Sequence, residues 1–155
     1  MVTRMNVCLG GTFYPLHKGH KALLKKAFQV AGANGSVFIG MTSAAMAKKK
    51  GELASFEKRK QSIEQFLAEE NVLRQAIIQP LSNKFGPTLK RDFDAIVVSP
   101  DTRPTAEEIS RKRKALGKKP LQIIVISFVL SEDGKPISSS RIRRKEIDEN
   151  GTLLK

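Results

Sequence analysis

The 155-residue sequence predicts an α/β protein, a single-domain doubly wound (Rossmann-like) fold with a five-stranded parallel sheet and helices on both faces. Three observations predict it. Short apolar runs alternate with amphipathic ones along the chain, as strand–helix–strand crossovers require, and right-handed crossovers give a doubly wound order. The runs around residues 36–40, 95–98 and 121–128 are apolar on both faces, the mark of strands covered by helices on each side. The first run breaks at Gly10-Gly11 into a turn leading to a helix, and in such folds ligands bind at the carboxyl ends of strands near the topological switch point.

Taken in order, Met5 to Leu9 reads as the first strand, stopped by Gly10 and Gly11. Ala22, Leu23, Ala27, Phe28, Val30 and Ala31 then recur at a helical period, with Lys21, Lys25 and Lys26 between them, and Gly32 and Gly35 end the helix. Ser36 to Gly40 is the second strand. Residues 43–54, with Lys48-Lys49-Lys50-Gly51, form a basic loop, and Ser55 caps a helix carrying Arg59, Ile63, Phe66 and Leu67; Lys58 stands where the acid of a capping box would belong. Val72 to Gln79 is the third strand, closed by Pro80, and Leu81 to Lys90 is irregular or a single helical turn around Gly86-Pro87. Ala95 to Val98 is a central strand by its β-branched content. Thr105 and Glu108 match a capping box opening a basic helix to about Leu116, ended by Gly117. Leu121 to Phe128 is the fifth strand; after a turn at 131–135, Ser138-Ser139-Ser140 starts a last helix from Arg141 to about Glu149. Neither a repeat nor a linker divides the chain, so one domain over residues 1–155 is expected.

Composition narrows the partners. Hydrophobic residues make up 40% and charged residues 28%, which excludes a disordered chain. The 28 Lys and Arg against 15 Asp and Glu give +13, an excess that attracts nucleic acid, acidic membrane or phosphorylated substrates. Cys8, the lone cysteine, allows no disulfide within the chain and reads as a small buried core residue in a reducing compartment. With no signal segment and no apolar run near the roughly 20 residues of a membrane span, a cytoplasmic protein without a membrane partner is expected.

The chemistry concentrates at Gly10-Gly11-Thr12-Phe13-Tyr14-Pro15-Leu16-His17-Lys18-Gly19-His20, which holds both histidines of the chain. A helix start offers unpaired N–H groups and a positive dipole end, and imidazoles or a lysine beside it add donors for phosphate oxygens. The glycine spacing fits neither the dinucleotide nor the P-loop pattern. A zinc site wants three or four ligands, and this stretch supplies two, so no protein metal site is expected.

Gly11-Thr12-Phe13 followed by His17-Lys18-Gly19-His20 resembles the first signature of the nucleotidyltransferase superfamily, and Ile137-Ser138-Ser139-Ser140-Arg141-Ile142-Arg143 resembles its second. Chain length and the serine run look most like the phosphopantetheine adenylyltransferases of the archaeal and eukaryotic style. The resemblance implies transfer of AMP from ATP, with magnesium, to 4′-phosphopantetheine, giving 3′-dephospho-coenzyme A and pyrophosphate. It implies that His20 binds the α-phosphate and stabilises the transition state and that Thr12 orients the attacking phosphate. By the same resemblance ATP would meet Gly11, Phe13, His17 and Gly19, with Ile137, Ser138, Ser139, Ser140 and Arg143 on the β- and γ-phosphates. Lys50 is expected to grip the acceptor phosphate, with Lys48 and Lys49 competing for the role.

Tyr14 replaces the Asp frequent after Thr-Phe, and the Arg-Gly-x-Arg type segment of bacterial members is absent. Arg103 is the best substitute for an ATP-side contact, with Glu107 or Glu108 nearby. Related transferases acting on flavin mononucleotide, nicotinamide mononucleotide or glycerol phosphate share these signatures. The basic run Arg111-Lys112-Arg113-Lys114 also raises a non-catalytic nucleic-acid module, against which stands the lack of Trp and the single Tyr.

Overall fold

The computed structural model describes residues 4–43 and 53–155. Five strands, β1 (Asn6–Gly11), β2 (Ser36–Thr42), β3 (Ala76–Leu81), β4 (Ala95–Val98) and β5 (Gln122–Val125), form one parallel sheet in the order β3-β2-β1-β4-β5. The helices are α1 (Lys18–Ala31), α2 (Phe56–Glu69), α3 (Arg103–Ala115) and α4 (Ser139–Arg143). From β1 the chain fills the sheet outward to β3 and then crosses to β4. The switch point therefore lies between β1 and β4, at the turn after β1.

Alternation along each strand builds two apolar layers. Val7, Leu9, Val37, Ile39, Met41, Ala95 and Val97 face α1 and α2, meeting Leu24, Ala27 and Phe28 from the first and Ile63, Phe66 and Leu67 from the second. Cys8, Phe38, Ile96 and Val98 face the opposite way, onto Ala106 and Ile109 of α3 and onto Leu81, Phe93 and Leu121. The doubly wound expectation holds. Cys8 is 2% exposed, its thiol points at the Ala95 carbonyl 3.6 Å away, and burial pushes its pKa up to about 12, so it is inert core.

Several boundaries move for identifiable reasons. The first two strands run on to Gly11 and Thr42, because Gly10 pairs with Gly40 and Gly11 with Met41 in the ladder. The third strand starts at Ala76 rather than Val72: Leu73–Gln75 form a 3₁₀ turn, and Gln75 Nε2 donates to the carbonyls of Gly32 and Gly35, pinning the α1–β2 connection. The fifth strand ends at Val125, since its partner β4 stops at Val98, whose carbonyl takes the last bond from Ile126 N–H. Helix α3 starts at Arg103, not Thr105. Thr102 is its N-cap and Pro104 sits in the first turn, where a missing N–H costs nothing; Glu108 pairs with Lys84 at 2.9 Å instead of closing a capping box.

The last helix is far shorter than expected. It ends at Arg143, and Lys145 follows at φ 63. The buried Arg141 side chain takes over, bonding Glu146 at 3.0 Å, Asp133 at 2.6 Å, Ser131 Oγ at 2.9 Å and the Pro136 carbonyl at 3.1 Å. That network folds the C-terminal segment back on itself, and Lys18 N–H at the start of α1 donates to the Glu149 carbonyl at 2.9 Å. The two signature segments are thereby tied together.

Candidate active site

The turn after β1 places Phe13 at φ 53, a left-handed conformation that large side chains seldom adopt. Burial offsets that strain: the Phe13 ring is 1% exposed in the core and lies 5.2 Å from the His20 ring. Phe13 thus supports His20 from behind, and its ring presents no surface to a ligand.

His17 and His20 form a reciprocal cap at the start of α1. His17 Nδ1 accepts from His20 N–H at 3.3 Å, and His20 Nδ1 accepts from His17 N–H at 3.2 Å. The rings stack at 3.6 Å with 16° between planes. Gly19 makes this possible, because a Cβ there would stand 2.9 Å from His17 Cε1. Burial pushes the pKa of His17 down to about 4. Burial, with His17 beside it, pushes that of His20 down to about 3. Both rings are neutral at physiological pH. With each Nδ1 already accepting, Nε2 is the proton-bearing nitrogen, a neutral donor.

These rings line a cleft of about 260 Å³ with Gly19, Ile137, Ser138 and Ser139. Ser99 and Asp101, just past β4, complete its polar wall, with Ser99 Oγ bonded to the Asp101 carboxylate. Ser138 caps α4, its Oγ accepting from Arg141 N–H at 3.2 Å. The two signatures, about 120 residues apart in sequence, thus share one cleft at the switch point.

A second cleft of about 220 Å³ adjoins the other face of the sheet. Gly10, Gly11 and Gly40 line it together with Leu81, Phe85, Ile96, Val98 and Ile109, so it is largely apolar. Lys84 and Thr42 supply polar groups. Lys84 and Lys112 both stand over the Phe85 ring, at 5.2 and 5.4 Å from its centroid. Thr12 lies in the turn after β1 and is not among the residues lining either cleft: its Oγ1 accepts from Thr42 Oγ1, a residue of the apolar cleft, at 2.9 Å, and its neighbour Phe13 lies beside His20.

Other expected residues stand apart. Arg103 is exposed at the start of α3 and faces Glu107 at 3.8 Å. Ser140 and Arg143 are exposed, joined by a 3.4 Å bond, and neither lines the cleft. Lys48, Lys49 and Lys50 lie outside the described residues. Sequence reasoning missed Ser99 and Asp101 as cleft residues, although the polar Ser-Pro-Asp following an apolar central strand was a usable signal. It also missed the apolar cleft, whose lining comes from six separate parts of the chain.

The parallel sheet with a polar cleft at its switch point places the protein among α/β proteins that bind ligands at the carboxyl ends of their strands. Residues 8–145 match the cytidylyltransferase-like family, and the chain belongs to that family. It is 43% identical over 148 residues to a phosphopantetheine adenylyltransferase of Methanosarcina acetivorans, covering 95% of this chain and 94% of the relative. The corresponding protein of Archaeoglobus fulgidus is 39% identical over 151 residues, covering 97% and 100%. Among solved structures, a protein of unknown function from Archaeoglobus fulgidus superposes with a TM-score of 0.71 at 36% identity, covering 79% of this chain and 89% of that one.

Proposed function

We propose that the protein is an adenylyltransferase of coenzyme A biosynthesis, moving AMP from ATP to 4′-phosphopantetheine with release of pyrophosphate. The observation that supports it best is the cleft shared by the His17–His20 pair and the Ser138–Ser139 helix start, beside an apolar cleft of the kind a pantetheine arm needs. Near-full-length relatives bearing the phosphopantetheine adenylyltransferase name point the same way.

In this reading ATP lies in the polar cleft. The Nε2–H of His20 donates to the α-phosphate, His17 donates to the triphosphate, and the α4 start with Ser138 and Ser139 holds the β- and γ-phosphates. The pantetheine arm lies in the apolar cleft, bringing its phosphate to Thr12. That phosphate attacks the α-phosphorus and pyrophosphate leaves, so the protein supplies alignment and charge stabilisation rather than a nucleophile. Lys50, or Lys48, would grip the acceptor phosphate as the family resemblance implies, while the exposed Arg103 and Arg143 contribute only to the overall positive charge. Magnesium would travel on the triphosphate, whose oxygens and waters satisfy an octahedral ion with few protein carboxylates. Asp101 is the carboxylate within the cleft that could join them.

The test is pyrophosphate release from ATP and magnesium with 4′-phosphopantetheine, flavin mononucleotide, nicotinamide mononucleotide and glycerol phosphate in parallel. Turnover is expected with 4′-phosphopantetheine, and His20→Ala should lower kcat at least about tenfold, since a lost transition-state donor costs about 2.7–4 kcal/mol. Turnover with another acceptor alone would overturn the assignment.

A further inference from the structure

We infer that Thr42 and Arg59 are positioning residues for the attacking phosphate, acting through Thr12; the inference rests on the adenylyl-transfer reading above. A hydroxyl has one proton and two lone pairs. Because Thr42 Oγ1 donates to Thr12 Oγ1 at 2.9 Å, the Thr12 proton stays available for another acceptor. A phosphate oxygen only accepts, so this polarity decides whether Thr12 can hold the acceptor substrate at all. Were the pair reversed, Thr12 would spend its proton on Thr42 and meet the phosphate with lone pairs.

Arg59 fixes the main chain beneath the pair. The residue is 2% exposed, and one guanidinium nitrogen, Nη1, donates to the carbonyls of both Thr12 and Thr42, at 3.2 and 2.8 Å. Nε donates to the Ala54 carbonyl at 2.9 Å, just ahead of the Ser55 cap of α2. A single buried cation therefore ties the turn after β1, the end of β2 and the start of α2. The three carbonyls are met from two nitrogens held apart in one rigid plane, a geometry that the single nitrogen of a lysine does not reproduce.

The decisive variants are Thr42→Val, which keeps the β-branched shape and removes the donor, and Thr42→Ser, which restores it. Thr42→Val should lower kcat with 4′-phosphopantetheine by about tenfold, the effect of one hydrogen bond realised in the transition state. KM for ATP and thermal stability should stay within about twofold and about two degrees of the parent, and Thr42→Ser should recover most of the rate. In a Thr12→Ala background, Thr42→Val should cause no further loss. Arg59→Lys should lower kcat in the same direction without weakening ATP binding measured at equilibrium. A parent enzyme that turns over while Thr42→Val matches it, or losses that multiply independently in the Thr12→Ala background, would overturn the inference alone. Absence of turnover by the parent would overturn the reading of the reaction, and this inference with it.

Discussion

His17 and His20 are neutral imidazoles at the start of α1, and in the proposed reaction they would meet the triphosphate as uncharged donors. His17 and His20 are held at about pH 4 and about pH 3, against an ordinary value of 6.5, chiefly by burial. Their folded-state pKa values are depressed, so the unfolded chain takes up protons below 6.5 while the folded one does not until about 4 and about 3. The stability they contribute is thus full above 6.5 and falls as pH drops toward 4. Urea unfolding free energies at pH 7 and pH 4.5 should show a loss of up to about 5 kcal/mol that a His17→Gln, His20→Gln double variant lacks. An identical loss in both proteins would show that the rings are solvated and titrate normally. The motif itself was legible in sequence; the stacking and mutual capping were not, because they depend on Gly19 admitting the His17 ring.

At the scale of elements, the strands were readable where burial on both faces left a continuous apolar run, as at Ala95–Val98, and blurred where tertiary contacts cut a run short, as at Leu73–Gln75 and beyond Val125. The last helix misled most. The serine run suggested the start of a helix reaching about Glu149, but Arg141 is drawn inward by Asp133, Glu146 and Ser131, and the chain turns away after Arg143. The apolar cleft depends in turn on Gly40, opposite Gly10 in the ladder. A Cβ at Gly40 would stand 2.7 Å from Leu81 Cδ2, forcing that side chain toward the cleft. Gly40→Ala should therefore raise KM for 4′-phosphopantetheine severalfold while leaving KM for ATP unchanged, read from initial rates with each substrate varied. A rise in KM for ATP instead would place the nucleotide on this side of the sheet.

For the whole molecule, the topology explains why residues far apart in sequence meet. The chain leaves β1 at the switch point, fills one half of the sheet, crosses to β4 and β5, and returns its C-terminal segment over the start of α1 through the Lys18–Glu149 bond. Two clefts then open near the turn after β1, a polar one at the start of α1 and an apolar one lined from β1, β2, β4 and α3; in the proposed reaction they would hold the adenylyl donor and the phosphate acceptor. Among the described residues no helix is long and apolar enough to cross a membrane, and the net charge of +13 favours anionic partners in general. Cys8, buried with its thiol pKa near 12, offers no nucleophile to intervene. The most direct test of transfer between the clefts uses ATP made chiral at the α-phosphorus with sulfur and follows the configuration of the dephospho-coenzyme A product. A single in-line attack predicts inversion at phosphorus; retention would mean a covalent adenylyl-enzyme and would contradict it.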